Sequence, residues 1–341
     1  MLLVHPPACR STEAPLGLAR LAGFLRANGL DVHCLDLNQE GFDYLLGLEA
    51  PRVAAEDTWS RRALKGRAGK ASDLRDAATY GNPGRYGRAV ADLSRALAVT
   101  SRSLSPGVDV GLADYHDEGL SPLRKEDLVA AADRPGTSPF RAFFEERLSS
   151  LGPQDLVGIS VNFLSQALSA FALAGLVKTR WPAAKVVMGG GLITSWILQG
   201  RISDEERFSG HVDHLVAGRG EEALAALCGL EPPWRQAPPD FSGFQDLGYF
   251  APTRILPFNF SLGCPWKRCS FCPEKAENNR YQSVPTDRAR EELAFLSERH
   301  EPGLFHFTDN EIAPLHLKAL AAQAPGRPWY GFARFSPLLE D

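Results

Sequence analysis

The chain predicts an α/β fold in which a doubly wound parallel sheet, interrupted by a helical insertion, is followed by the opening units of a second βα series. Three patterns predict it. Short apolar runs alternate with amphipathic helical stretches near the N-terminus, the alternation resumes after residue 152, and a proline-rich segment at 231–257 precedes a further βα series. With 341 residues there is room for two domains at the usual size of about 150 residues each.

Taking the elements in order, Leu2, Leu3 and Val4 read as a first strand. Residues 15–28 read as a helix, because Leu18, Leu21, Ala22 and Leu25 recur at helical spacing. Gly29 ends it, and 32–37 reads as the next strand. Further on, 156–161 is a buried-type strand, 165–180 a helix closed by Trp181 and Pro182, 185–188 and 214–217 strands, and 221–227 a helix. Such alternation implies right-handed crossovers and a sheet covered on both faces. Between Gly47 and Gly152 the pattern breaks into Ala-, Arg- and Leu-rich stretches such as 88–101 and 140–149, which read as a helical insertion spanning about 48–152 of a first domain at 1–230.

Residues 231–257 carry Pro232, Pro233, Pro238, Pro239 and Pro252, which predicts an interdomain linker crossing the surface. The second series then reads as a strand at 258–262, a helix at 287–299 with acid in its first turn, a strand at 304–307, a helix at 312–324 with Pro314 near its start, and a strand at 329–332. A full eight-unit barrel takes about 250 residues, roughly 30 per unit, so 258–341 holds only the N-terminal part of one. A partial barrel leaves strand edges and apolar surface open unless a missing C-terminal segment or a partner chain completes it. The polypeptide alone is therefore expected to be poorly stable or inactive.

The formal charge of -4 argues against nucleic acid as a partner, and the Arg- and Lys-rich stretch at 52–102 reads as a solvated helical face. The N-terminus lacks the basic and apolar regions of a signal peptide, and no run reaches the ~18 apolar residues of a membrane span. A reducing cytoplasm is the expected location. Thiols remain available to a metal there.

Cys264, Cys269 and Cys272 fall within nine residues, a spacing that belongs to cofactor work rather than to a disulfide framework. Three thiolates on one loop can hold an iron-sulfur cubane while leaving one iron without a protein ligand. The other reading is a structural zinc site, whose fourth ligand would come from His300, His306 or a distant Cys. The loop's place after a strand and after Ser261-Leu262-Gly263 is where βα barrels carry their chemistry.

This loop resembles that of the radical S-adenosylmethionine enzymes, whose last two Cys are spaced C-x-x-C with an aromatic residue before the last, as Phe271 stands before Cys272. Four residues separate the first two Cys here, where the commonest family spacing has three. The resemblance implies a 4Fe-4S cluster on Cys264, Cys269 and Cys272 whose open iron chelates S-adenosylmethionine, and reductive cleavage to a 5'-deoxyadenosyl radical. A reductant such as flavodoxin or ferredoxin would supply the electron. It also makes Phe271 a contact for the adenine, and Asp309 and Glu311 candidates to face the methionyl amine. Asp309 or Asn310 could equally cap the following helix, while Arg334 either reaches a carboxylate or lies in solvent.

The N-terminal part is similar to the cobalamin-binding-type Rossmann domain that precedes many radical enzymes, on the order of its strands and on Ser160, Gly189, Gly190 and Gly191 at strand ends. Those small residues would let a large flat ligand approach the sheet edge. Domains that ligate cobalt from below carry D-x-H-x-x-G, and Thr12-Glu13-Ala14-Pro15-Leu16-Gly17 has Ala14 in the His position, so cobalamin would bind without a lower His ligand. His5 and His33 read as ordinary edge residues. The resemblance implies an enzyme that methylates or rearranges an unreactive carbon of a small-molecule or peptide substrate. The alternative is a non-catalytic cobalamin- or partner-binding module with a structural or electron-transfer cluster.

Overall fold

The computed structural model describes residues 1–48, 57–272, 274 and 279–335. The chain opens with β1 (Leu2–His5), α1 (Leu16–Ala27), β2 (His33–Asp36) and α2 (Leu37–Gly47). α2 starts where the sequence predicted the last strand residue, because Asp36 caps it, its carboxylate accepting from the Asn38 and Gln39 amides. The insertion follows as α3 (Thr58–Arg75), α4 (Ala77–Tyr80), α5 (Pro83–Leu104), a hairpin of β3 (Val108–Val110) and β4 (Tyr115–Asp117), α6 (Lys125–Asp133) and α7 (Arg141–Ser149). It is helical as expected apart from the hairpin, whose three-residue strands are too short to show a period of two.

The doubly wound part resumes with β5 (Leu156–Ser160), α8 (Ala167–Arg180), β6 (Lys185–Gly189), α9 (Gly191–Leu198), β7 (His214–Leu215) and α10 (Glu221–Leu227). Its five-stranded sheet runs in the order β2-β1-β5-β6-β7, parallel throughout. Every residue of α8 from Ala167 to Val177 is buried, since the helix lies between the sheet and the insertion. A Cβ on Gly175 would stand 2.0 Å from the Ala132 carbonyl oxygen, so α8 and α6 meet backbone to backbone. Phe140, Phe144 and Phe171 fill the core between these layers, each contributing about 1.5–3 kcal/mol by leaving water.

Arg61, Arg62, Lys65, Arg88, Arg95 and Arg102 of the basic stretch are exposed, as expected of a solvated helical face, while Arg67 and Arg85 are partly buried. Arg67 donates to the Leu46, Leu48 and Leu64 carbonyls, and Arg85 pairs with Asp73 and Asp76. Arg52, where the stretch begins, lies outside the described residues.

Segment 231–257 departs from a surface linker: Phe241, Phe244 and Phe250 are buried, the Asp240 amide donates to the Ala19 carbonyl, and the Tyr249 hydroxyl donates to Asp36 at 2.8 Å. Its last residues already belong to β8 (Ile255–Phe258), three residues before the predicted start. Pro257 is tolerated because β8 is an edge strand. The predicted strand at 258–262 divides at Asn259, after which β9 (Ser261–Leu262) pairs antiparallel with β10 (Gln282–Ser283). Then come α11 (Thr286–His300), β11 (Leu304–Phe307), α12 (Pro314–Ala322) and β12 (Trp329–Gly331).

The second sheet is three-stranded and parallel, in the order β12-β11-β8, and among the described residues no barrel closes. Residues 336–341 of the predicted 258–341 region lie outside the description. Phe305 and Phe307 pack toward Leu293, Leu296 and Leu320 of α11 and α12, which leaves Leu304 and His306 on the other face. Arg20 of α1 joins the two parts, donating to both the side chain and the carbonyl of Asn259 and pairing with the buried Glu292 of α11. Among the described residues no helix is long and apolar enough to cross a membrane.

Candidate functional site

The C-terminal edge of an open parallel sheet is where α/β folds bind ligands. Here the ends of β5, β6 and β7, the first turns of α1 and the arm formed by β9 and β10 enclose a cavity of about 590 Å³, within the range of ligand sites. Ser160, Gly189, Gly190 and Gly191 all line it. Packing already accounts for the glycine at 190: its φ is +100°, and a Cβ there would fall 2.5 Å from the Val161 carbonyl oxygen. A Cβ on Gly189 would come to 3.3 Å from the Val216 carbonyl oxygen. The second part contributes Ser261, Leu262 and Gly263, which the sequence already placed before the cysteine loop, together with Arg280 and Thr308, which it did not single out. The folded arm brings all of these there except Thr308, which follows β11.

The arm carries the cysteines. Gly263 has φ +74°, and a Cβ on it would lie 3.0 Å from the Arg280 carbonyl oxygen, so the chain entering the loop packs on the chain leaving it. Cys264 and Cys272 are partly exposed, Cys269 is exposed, and none is in a disulfide. The Cys272 amide donates to the Cys269 carbonyl at 3.3 Å. Phe271 is 89% exposed and has no ring partner among the described residues.

Three free thiols on one accessible arm suit a cluster by the chemistry of the donors. Their sulfurs are not gathered, however: among the described residues no three His, Cys, Asp or Glu side chains converge as a metal-binding group. The zinc alternative fares no better. His300 is buried at the end of α11 beside Gln245, and His306 Nδ1 faces Glu13.

The two carboxylates after β11 have different surroundings. Asp309 is buried and accepts from the Phe260 amide at 2.9 Å and the Ser261 hydroxyl at 2.6 Å, so both its oxygens clamp the start of the arm. Burial pushes its carboxyl above the usual range, and those two hydrogen bonds oppose the shift. It is thus not open to a methionyl amine. Neither Asp309 nor Asn310 caps the next helix, whose N-cap is Ala313 with no side-chain bond. Glu311 does face the loop, one oxygen lying 3.8 Å from Cys264 Sγ and the other 3.3 Å from Arg334 Nε. Arg334 lies over the Trp266 ring at 3.9 Å, tying the chain just past β12 to the cysteine loop through a contact between residues far apart in sequence.

His316 of α12, fully buried, stacks on Phe260 and meets Ser283 at 2.8 Å, fixing the other strand of the arm. At the C-terminal end of β1, His5 is buried with Nε2 3.2 Å from Cys9 Sγ, and His33 stands at the opposite, N-terminal end of β2. Neither lines the cavity. Ala14, in the position of a lower cobalt ligand, is buried in the apolar cluster beside α1. Among the described residues no imidazole borders the space.

No family model matches the chain, and the search of curated proteins found no match. Among solved structures, a radical S-adenosylmethionine methyltransferase, TsrM from Kitasatospora setae, with tryptophan and an S-adenosylmethionine analogue bound, aligns over 94% of this chain with a TM-score of 0.48 and 15% identity. The chain spans 49% of that protein's length. A likeness this distant fixes neither reaction nor ligand.

Proposed function

We propose that this chain is a radical S-adenosylmethionine enzyme, or the part of one, that holds a 4Fe-4S cluster on Cys264, Cys269 and Cys272 and uses cobalamin to methylate or rearrange an unreactive carbon. The observation carrying this reading is the shared cavity: the small residues at the ends of β5 and β6 and the arm bearing the three thiols border one space. When bound, the cluster supplies the electron that cleaves S-adenosylmethionine, and cobalamin supplies a carrier for a methyl group.

The chain's own residues would act by holding and orienting. Glu311 and Arg334 brace the loop at Cys264, while Asp309, Ser261 and His316 fix the arm that delivers it. Phe271 stands free to cover a planar ligand. The same three free thiols would serve a second reading, a non-catalytic module with a structural or electron-transfer cluster. Anaerobic protein given S-adenosylmethionine, cobalamin and dithionite separates the two. Deoxyadenosine formation supports the enzyme; cluster without deoxyadenosine supports the module.

A further inference from the structure

A second cavity, of about 300 Å³, lies where the end of α3, the 231–257 segment and the end of α11 meet. Among the described residues it shares no lining side chain with the candidate site. Part of its wall is apolar: Phe241, Phe244 and Leu256 are buried there, and the His300 ring stands edge to face with Phe241, centroids 5.8 Å apart. The charge on the wall has one sign. Arg75 and Arg254 line it, and among the described residues no carboxylate does.

Both guanidinium groups are held in place with donors to spare. Arg75 Nε donates to the Gly248 carbonyl at 2.9 Å and its Nη2 reaches Asp43 at 3.3 Å, while Arg254 Nη1 donates to the His300 carbonyl at 3.0 Å. Arg75 Nη1 and Arg254 Nε have no hydrogen-bond partner among the described residues. The nearby acids are engaged elsewhere: Asp43 is half exposed, Asp36 accepts from the Tyr249 hydroxyl, and Asp240 pairs with Arg26. Burial, and then the Arg299 and Arg254 charges, hold His300 below its usual pKa. Its neutral ring accepts from the Gln245 amide nitrogen at Nδ1, which leaves the hydrogen on Nε2 as a further donor.

We propose that this cavity binds a small organic phosphomonoester, with its phosphate on Arg75 and Arg254 and its carbon skeleton against the phenylalanine wall. Guanidinium groups from two different elements suit a tetrahedral dianion, whereas a planar carboxylate is satisfied by one fork. A bare inorganic ion would leave the apolar wall uncovered. The volume is at the lower end of the range for small-molecule sites. Such a ligand would join the insertion, through Arg75, to the second sheet, through Arg254 beside β8. None of these residues belongs to the cysteine arm, so the inference stands whether or not the chain carries a cluster.

The test is calorimetric titration of the full chain, without cluster or cofactor, using phenyl phosphate as the probe and phenol, benzoate and inorganic phosphate as comparisons. Phenyl phosphate should bind at a single site, inorganic phosphate and benzoate more weakly, and phenol not measurably. Arg75→Gln and Arg254→Gln should each weaken phenyl phosphate binding about tenfold or more, as expected for a lost hydrogen bond to a charged group. Arg254→Lys, which keeps the charge and loses the fork, should fall between. Arg280→Gln, in the first cavity, should leave binding unchanged, and melting curves without ligand verify that each variant is folded. No saturable binding of phenyl phosphate, equal binding of phenol, benzoate or inorganic phosphate, or affinity that depends on Arg280 and not on Arg75 and Arg254 overturns the proposal.

Discussion

Asp309 and Glu311 lie two residues apart and do different work. Both were legible as carboxylates after a strand, but β11 ends at Phe307, so strand alternation no longer dictates where they face. Asp309→Ala would strip the buried Phe260 amide and Ser261 hydroxyl of their acceptor and should cost about 1–3 kcal/mol in chemical denaturation. Glu311→Gln, losing an ion pair with a part-exposed Arg334, should cost less than about 1 kcal/mol, yet it should impair iron loading. Histidine protonation gives a second expectation. Burial lowers the pKa of His300, with the Arg299 and Arg254 charges adding to the effect, so the fold favours neutral imidazole. The unfolded chain then binds more protons as pH falls below about 6.5, and this contribution to stability is lost toward acid. The melting-temperature gap between the unmodified chain and His300→Gln should narrow from about pH 8 to about pH 5.5. Parallel curves would count against it.

At the scale of elements, strong periodicity was legible and packing was not. The helix at 221–227 and the strand at 304–307 match their sequence readings, because each combines apolar spacing with a clear stop. The segment at 231–257 misleads, since its prolines mask Phe241, Phe244 and Phe250, whose spacing fits no regular period. α8 reads as a helix from its sequence, but its complete burial depends on α6, which lies in the insertion. Gly175→Ala tests that contact: the added methyl must push α6 away from Ala132, and thermal denaturation should register a loss of about 1–3 kcal/mol. An unchanged melting temperature would mean that the two helices do not meet as described.

At the scale of the whole molecule, two α/β parts share one cavity, and Arg20 is one tie between them, beside the contact of Glu13 with His306. Removing it leaves Glu292, buried, with Arg288 as its remaining partner, so Arg20→Ala should cost about 3 kcal/mol and loosen the seam beside Asn259. The class of fold was legible because strand-helix alternation survives the insertion. The shared cavity was not, since it depends on how β9 and β10 fold back over the first sheet. What unites the molecule functionally is the arm bearing Cys264, Cys269 and Cys272. Its most direct test is iron and acid-labile sulfide per chain after anaerobic reconstitution, compared between the unmodified protein and the Cys264→Ala, Cys269→Ala and Cys272→Ala variants. The unmodified chain should carry both iron and sulfide and each variant should lose them; iron and sulfide retained in the variants, or zinc without sulfide in the unmodified chain, would contradict the assignment.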